Sequence, residues 1–258
     1  MFSNKVRRII IKTQSLERII FGTASLGSRI SFSESIKLLR NIYSLGIRNI
    51  DTGPLYGSCQ AHTIINQAFK KEDEVKVYSK FLSKIINRNR FLAKLIFLRC
   101  GMRSYMNFFD SGVLYKKLVQ NKFSKKDIEF FIKKQKKFYP NINFQGWFIH
   151  SPSSVINYNL SNEKSIFNDF GFSGSLDLYQ SKKYNTFIQT NVENLYKEDL
   201  KLIKAKKIFV NRIFSYSAKN NIPIKEIYKE LLEMDERIYL VIGTTKIKTM
   251  QEIINNII

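Results

Sequence analysis

Cysteine is nearly absent: Cys59 and Cys100 are the only two in 258 residues. Two thiols can neither build a disulfide framework nor supply a metal-ligand cluster, so the expectation is a reduced, metal-free, cytoplasmic protein. Four prolines and eleven glycines form no linker. With no repeat of 20–50 residues and no low-complexity tail, one domain spanning 1–258 is the expectation. Long apolar runs are missing as well. The stretch MFSNKVRRIIIKTQ has three apolar residues between charges, and FLAKLIFL is short and interrupted by Lys94. Neither has the length of a signal-peptide core or a membrane span, so no membrane insertion is expected. Acidic side chains are scarce, 21 against 43 Lys and Arg, which leaves a formal charge of +22. Such a balance attracts phosphates, nucleic acid or an anionic membrane surface. The lysines, however, are spread among many Ile, Asn and Phe, as an AT-rich coding bias would place them, and no nucleic-acid motif accompanies them. No specific nucleic-acid partner is expected.

Apolar side chain is plentiful. Hydrophobic residues make up 44% of the chain and aromatics 14%, enough to fill a large core. Short apolar runs ending at a small, polar or charged residue recur along the chain, each followed by a loop and an amphipathic segment. Eight can be placed: Ile19–Phe21, Asn49–Asp51, Val75–Ser79, Trp147–His150, Phe170–Ser173, Phe187–Thr190, Ile208–Val210 and Tyr239–Gly243. Helix openings lie between them. Ser31 with Glu34 forms a capping box before FSESIKLLRNIYSLG, with Gly46 as the stop, and Ser124 with Asp127 opens DIEFFIKKQKKFY. Residues 81–123 are too long for an ordinary connection and read as a helix plus an irregular loop over the barrel mouth. Eight strand–helix units of about 250 residues, with no GxGxxG after the first strand, predict an α/β (β/α)8 TIM barrel rather than an open doubly wound sheet. In such barrels functional residues gather at the C-terminal ends of the strands.

At those ends stands a group of reactive side chains. IRNIDTGPLYGS stops at Asp51 and places Tyr56 five residues later; KVYSK ends with Lys80; GWFIHSP ends with His150 and a following proline. A strand-end Asp and a loop Tyr taken alone are more often structural. Together the segments resemble the aldo-keto reductase family, whose D-T-A-x-x-Y-G signature differs here by Gly53 for Ala. They stand closest to the reductases of polysaccharide gene clusters. The resemblance runs from Phe21-Gly22-Thr23, through FGFSG, FIQTNVEN and KIFVNRIFS, to VIGTTKIKTMQEII. His62 falls in the helix after the signature and reads as a surface or packing residue; Lys84 lies past the strand end.

The resemblance implies NAD(P)H-dependent reduction of a small-molecule aldehyde or ketone, with a sugar or nucleotide-sugar carbonyl, or another anionic substrate, as candidates. Tyr56 is the expected acid, with the Lys80 ammonium favouring its phenolate. Asp51 holds Lys80 charged and oriented, and His150 hydrogen-bonds the carbonyl oxygen. Ser173 and Gln189 are placed near the nicotinamide amide. Gly22, Thr23, Gly243, Thr244, Thr245, Lys246 and Lys248 complete the cofactor set, the last two suiting the 2′-phosphate of NADPH, with NADH as the alternative cofactor and solvated surface lysines as the alternative reading. Several positions depart from the family pattern. Gly174 stands where Asn is common, Asn66 where Gly is common, Ile253 and Ile254 where an adenine-contacting Asn is usual, and the acidic residue after YG is missing. A non-catalytic barrel that binds nucleotide or a protein partner is the alternative function.

Overall fold

The computed structural model describes residues 15–81, 125–150, 170–174 and 187–257. Ser124, Lys84, Cys100 and all but the first residue of the 81–123 stretch lie outside them. Eight parallel strands close into a barrel in sequence order: β1 Ile19–Gly22, β2 Asn49–Asp51, β3 Lys76–Phe81, β4 Asn143–His150, β5 Phe170–Ser173, β6 Phe187–Asn191, β7 Lys207–Asn211 and β8 Ile238–Ile242. β1 pairs with both β2 and β8, so the sheet has no free edge. The helices are α1 Phe32–Ser44, α2 Ala61–Ala68, α3 Lys125–Phe138, α4 Val192–Leu195, α5 Ile213–Asn220, α6 Ile224–Met234 and α7 Ile247–Ile257. The expected α/β barrel is the observed one.

Local signals explain the elements. Ser31 caps α1 through its side chain, Glu34 reaches back to the Ser31 N–H, and Leu38, Leu39 and Ile42 form the buried stripe. In α6 the buried stripe is Ile227, Tyr228 and Leu231. In α7 it is Met250, Ile253 and Ile254. The two isoleucines are thus spent on the core between barrel and helices, which accounts for apolar residues where the resemblance leads one to expect an adenine contact.

The period of two along each strand divides the side chains. Outward positions such as Ile19, Phe21, Ile50, Val77, Ile188, Ile208, Val210, Leu240 and Ile242 pack beneath the helices. Inward positions Ile20, Tyr78, Phe148, Phe187 and Phe209 fill the barrel, with Tyr239 and Val241 against them. The rings meet mostly edge to face, Phe148 to Phe187 at 4.9 Å and to Phe209 at 5.1 Å. Gly171 makes that filling possible, since a Cβ there would lie 2.2 Å from the Phe187 carbonyl oxygen. One irregularity sets the alignment of β4. Val77 pairs with Phe144 but Tyr78 with Gly146, so Gln145 is an extra residue, a bulge that brings Phe148 to the inward face.

The N-terminal end of the barrel is tied by two arginines. Arg18 donates to the Ile238 and Asp235 carbonyls at 2.8 and 2.7 Å. Arg237 grips the Asp235 carboxylate at 2.6 Å and donates to the Ile203 and Leu200 carbonyls. The opposite end is left for the site.

Candidate active site

Parallel closure brings the last inward residue of each strand to one mouth. Asp51 ends β2, Lys80 is the penultimate residue of β3, Ser173 ends β5 and Gln189 lies in β6. All four side chains are buried. Lys80 Nζ donates to Asp51 Oδ1 at 2.5 Å and to the Thr52 carbonyl at 3.3 Å. Gln189 Nε2 donates to the same Asp51 oxygen at 3.0 Å, and Ser173 Oγ donates to Gln189 Oε1 at 2.8 Å. Asp51 therefore sits at a junction that crosses the barrel. Burial is the largest single influence on Lys80 and lowers its pKa, but the Asp51 carboxylate and Tyr56 together outweigh it and hold the ammonium above its ordinary value.

Tyr56 is delivered by a tight turn. Gly57, Ser58 and Cys59 all take left-handed conformations, with φ of 58°, 56° and 69°. At 57 only glycine fits, because a Cβ would lie 1.6 Å from the Leu26 carbonyl oxygen. The two non-glycine residues store strain of roughly 1–2 kcal/mol each. This turn swings the Tyr56 ring over Lys80, whose Nζ lies 4.8 Å from the ring centroid. Burial raises the phenol pKa; the Lys80 charge opposes that shift and Asp51 adds to it. Lys80 favours the phenolate, as expected from the sequence, and burial is the larger effect, so the net shift is upward.

His150 is the last residue of β4, its backbone paired with Ser173 at the same end of the barrel, and its side chain lies outside the described residues. His62 is a buried packing residue in α2. Its Nε2 lies 2.9 Å from Ser79 Oγ on β3 and its Nδ1 3.1 Å from Gln135 Oε1 on α3. Burial pulls its pKa down to about 4, so at neutral pH it is uncharged. Among the described residues no group of three His, Cys, Asp or Glu could hold a metal ion.

The aldo/keto reductase family model matches residues 18–95, the stretch that holds Asp51, Tyr56 and Lys80. That segment is similar to the aldo/keto reductase family. Solved aldo-keto reductases share its fold. One from Bacillus halodurans in its holo form superposes with a TM-score of 0.62 at 10% identity, over 93% of this chain and 86% of that one. A protein of Pseudomonas aeruginosa assigned to the same family gives 0.61 at 14%, over 93% and 89%. A Klebsiella pneumoniae aldo-keto reductase crystallised with NADPH gives 0.53 at 11%, over 93% and 84%. Among curated proteins none matches this sequence.

On this barrel the remaining predicted positions separate by burial. Thr23 is fully buried, its hydroxyl donating to the Asp51 carbonyl at 3.0 Å and lying 2.8 Å from the Thr52 hydroxyl, so it braces β1 against β2. Gly22 ends β1 beside Asp51. Gly243, Lys246 and Lys248 are exposed, and Thr244 and Thr245 are half-buried, where β8 runs into α7. Thr244 Oγ1 accepts the Lys246 N–H at 3.1 Å, and no acidic residue stands in the first turn of α7. Asn66 accepts the Asn141 N–H at 3.0 Å and so fastens α2 to the turn before β4. Sequence reasoning passed over Gln135, although a lone amide between Phe131 on α3 and Tyr139 just after it was a signal. It also passed over Arg212, an exposed residue at the end of β7 with a left-handed φ of 59°.

Proposed function

We propose that this barrel is an NAD(P)H-dependent oxidoreductase that reduces an aldehyde or ketone to an alcohol, acting as a single domain over residues 1–258 in the cytoplasm. The observation that carries the reading is the buried, charged Lys80–Asp51 pair beneath the Tyr56 ring at the mouth of the barrel. When bound, the nicotinamide supplies the hydride. The donor set fits that group: Ser173 and Gln189 offer a buried hydroxyl and amide, and the unopposed helix N-terminus of α7 with Lys246 and Lys248 suits phosphate. Crystallisation of the Klebsiella relative with NADPH supports the same cofactor here, and the lysines favour NADPH over NADH.

Tyr56 acts as the proton donor. With its pKa raised it stays protonated at neutral pH, so the proton is in place when charge develops on the carbonyl oxygen. Lys80 stabilises the phenolate left behind, Asp51 fixes Lys80, and His150 orients the carbonyl by donating to its oxygen. Gly22, Thr23, Gly243, Thr244 and Thr245 shape the path of the cofactor. The exposed Arg212, just after β7, favours an anionic substrate such as a nucleotide-sugar carbonyl. Fluorescence titration with NADPH and NADH, followed by a carbonyl screen with the cofactor that binds, tests the reading. Saturable binding with turnover is expected; binding without turnover of any carbonyl points to a nucleotide-binding barrel instead.

A further inference from the structure

Gln189 spends both ends of its amide inside the barrel. Nε2 donates to Asp51 Oδ1 at 3.0 Å and Oε1 accepts from Ser173 Oγ at 2.8 Å. The backbone holds these partners in register, with Ser173 paired to Gln189 and the Gly174 N–H donating to the Gln189 carbonyl at 3.0 Å. A carboxylate only accepts hydrogen bonds, so Asp51, ion-paired with Lys80 at 2.5 Å, dictates that Nε2 turn toward it. The amide oxygen must then face Ser173, and the Ser173 hydroxyl must donate to it. Each later polarity in the chain follows from the first charge. What is left over is a second hydrogen on Nε2, a second lone pair on Oε1 and the lone pairs of Ser173. A primary carboxamide, itself one acceptor beside one donor, complements that arrangement without displacing any bond present.

We propose that the charge on Asp51, transmitted through Gln189 as a positioning residue, sets the hydrogen-bond polarity with which the barrel mouth reads a carboxamide. The inference rests on the cofactor reading above. It joins two roles otherwise separate, since the carboxylate that holds Lys80 also prepares the seat of the nicotinamide amide. If Asp51 is neutralised to an amide, Gln189 is free to turn over, Ser173 loses its fixed direction, and half of the possible arrangements present the wrong partner to the ligand.

The test is a double-mutant cycle read by binding affinity. Two probes are titrated against wild type, Asp51→Asn, Gln189→Leu and the double variant: NADPH, and 2′-phospho-ADP-ribose, which lacks the nicotinamide. Asp51→Asn is expected to weaken NADPH about tenfold, the scale of one lost buried hydrogen bond, and to leave the nicotinamide-free probe unchanged. In the Gln189→Leu background the same Asp51→Asn change should cost nothing further. An equal loss for both probes, or an Asp51→Asn effect of the same size with and without Gln189, overturns the inference. Should Asp51→Asn not fold because Lys80 is left buried and unpaired, Asp51→Asn with Lys80→Met removes both charges and carries the same expectation. Wild-type protein that binds neither probe overturns both this inference and the functional reading; wild type that binds NADPH with additive variants overturns this inference alone.

Discussion

Tyr56→Phe deletes the phenolic proton and keeps the ring over Lys80, so carbonyl reduction should fall about 10²–10⁴-fold while NADPH affinity stays near wild type. Steady-state turnover at saturating cofactor and matched thermal stability checks it, and equal rates would remove Tyr56 from the mechanism. His62 makes a prediction about acid instead. Its folded pKa of about 4 lies below its ordinary 6.5, so between those values the unfolded chain binds a proton that the native chain refuses. Stability is therefore complete above about pH 6.5 and is lost as pH falls toward 4, by an amount on the order of 3 kcal/mol. Thermal melts of wild type and His62→Gln across that window check the sign, the variant showing a flatter profile. The catalytic candidates were legible because Asp51, Tyr56 and Lys80 belong to contiguous segments with a known pattern. The setting of His62 was not, because its partners Ser79 and Gln135 come from β3 and α3 and meet it only after the helices have docked.

Elements carry their own signals at ends and lose them at irregularities. The capping box of α1 and the three residues of β2 were readable as they stand in the structure. β4 was placed at Trp147–His150 but begins at Asn143, because the bulge at Gln145 breaks the alternation on which the reading depends. The Tyr56–Cys59 turn is another such place, with three consecutive positive φ values of which only one falls on glycine. Gly57→Ala drives a methyl into the Leu26 carbonyl and cannot be absorbed by a flexible side chain, so a loss of more than about 3 kcal/mol is expected together with displacement of Tyr56. Chemical denaturation checks the first part and turnover of the surviving folded fraction the second. A wild-type melting curve for Gly57→Ala would mean that the turn is looser than its contacts imply.

At the scale of the molecule the positive charge and the closed barrel have separate consequences. A net charge of +22 draws any phosphate ligand, so general attraction must be separated from a built contact. Lys246→Ala with Lys248→Ala should weaken NADPH about tenfold and leave NADH nearly unchanged, since only the former carries the 2′-phosphate; equal losses would reduce both lysines to background field. The alternation of runs was enough to read eight parallel strands, whereas the Ser173–Gln189–Asp51–Lys80 chain was beyond it, because those contacts exist only once strands distant in sequence curl together. That same curling sets an order of events. The seam between β1 and β8 joins Ile19 to Leu240, and Arg18 reaches Ile238 across 220 residues of chain. During synthesis the β8-facing edge of β1 therefore waits until Ile242 has been made, and closure of the seam belongs late in folding, after the loop entropy has been spent. Arg18→Ala should accordingly speed unfolding while leaving the folding rate nearly as it was, a pattern visible in the two arms of a chevron plot. Until then the β8-facing edge of β1 is an open strand edge, the kind of surface through which incomplete chains associate.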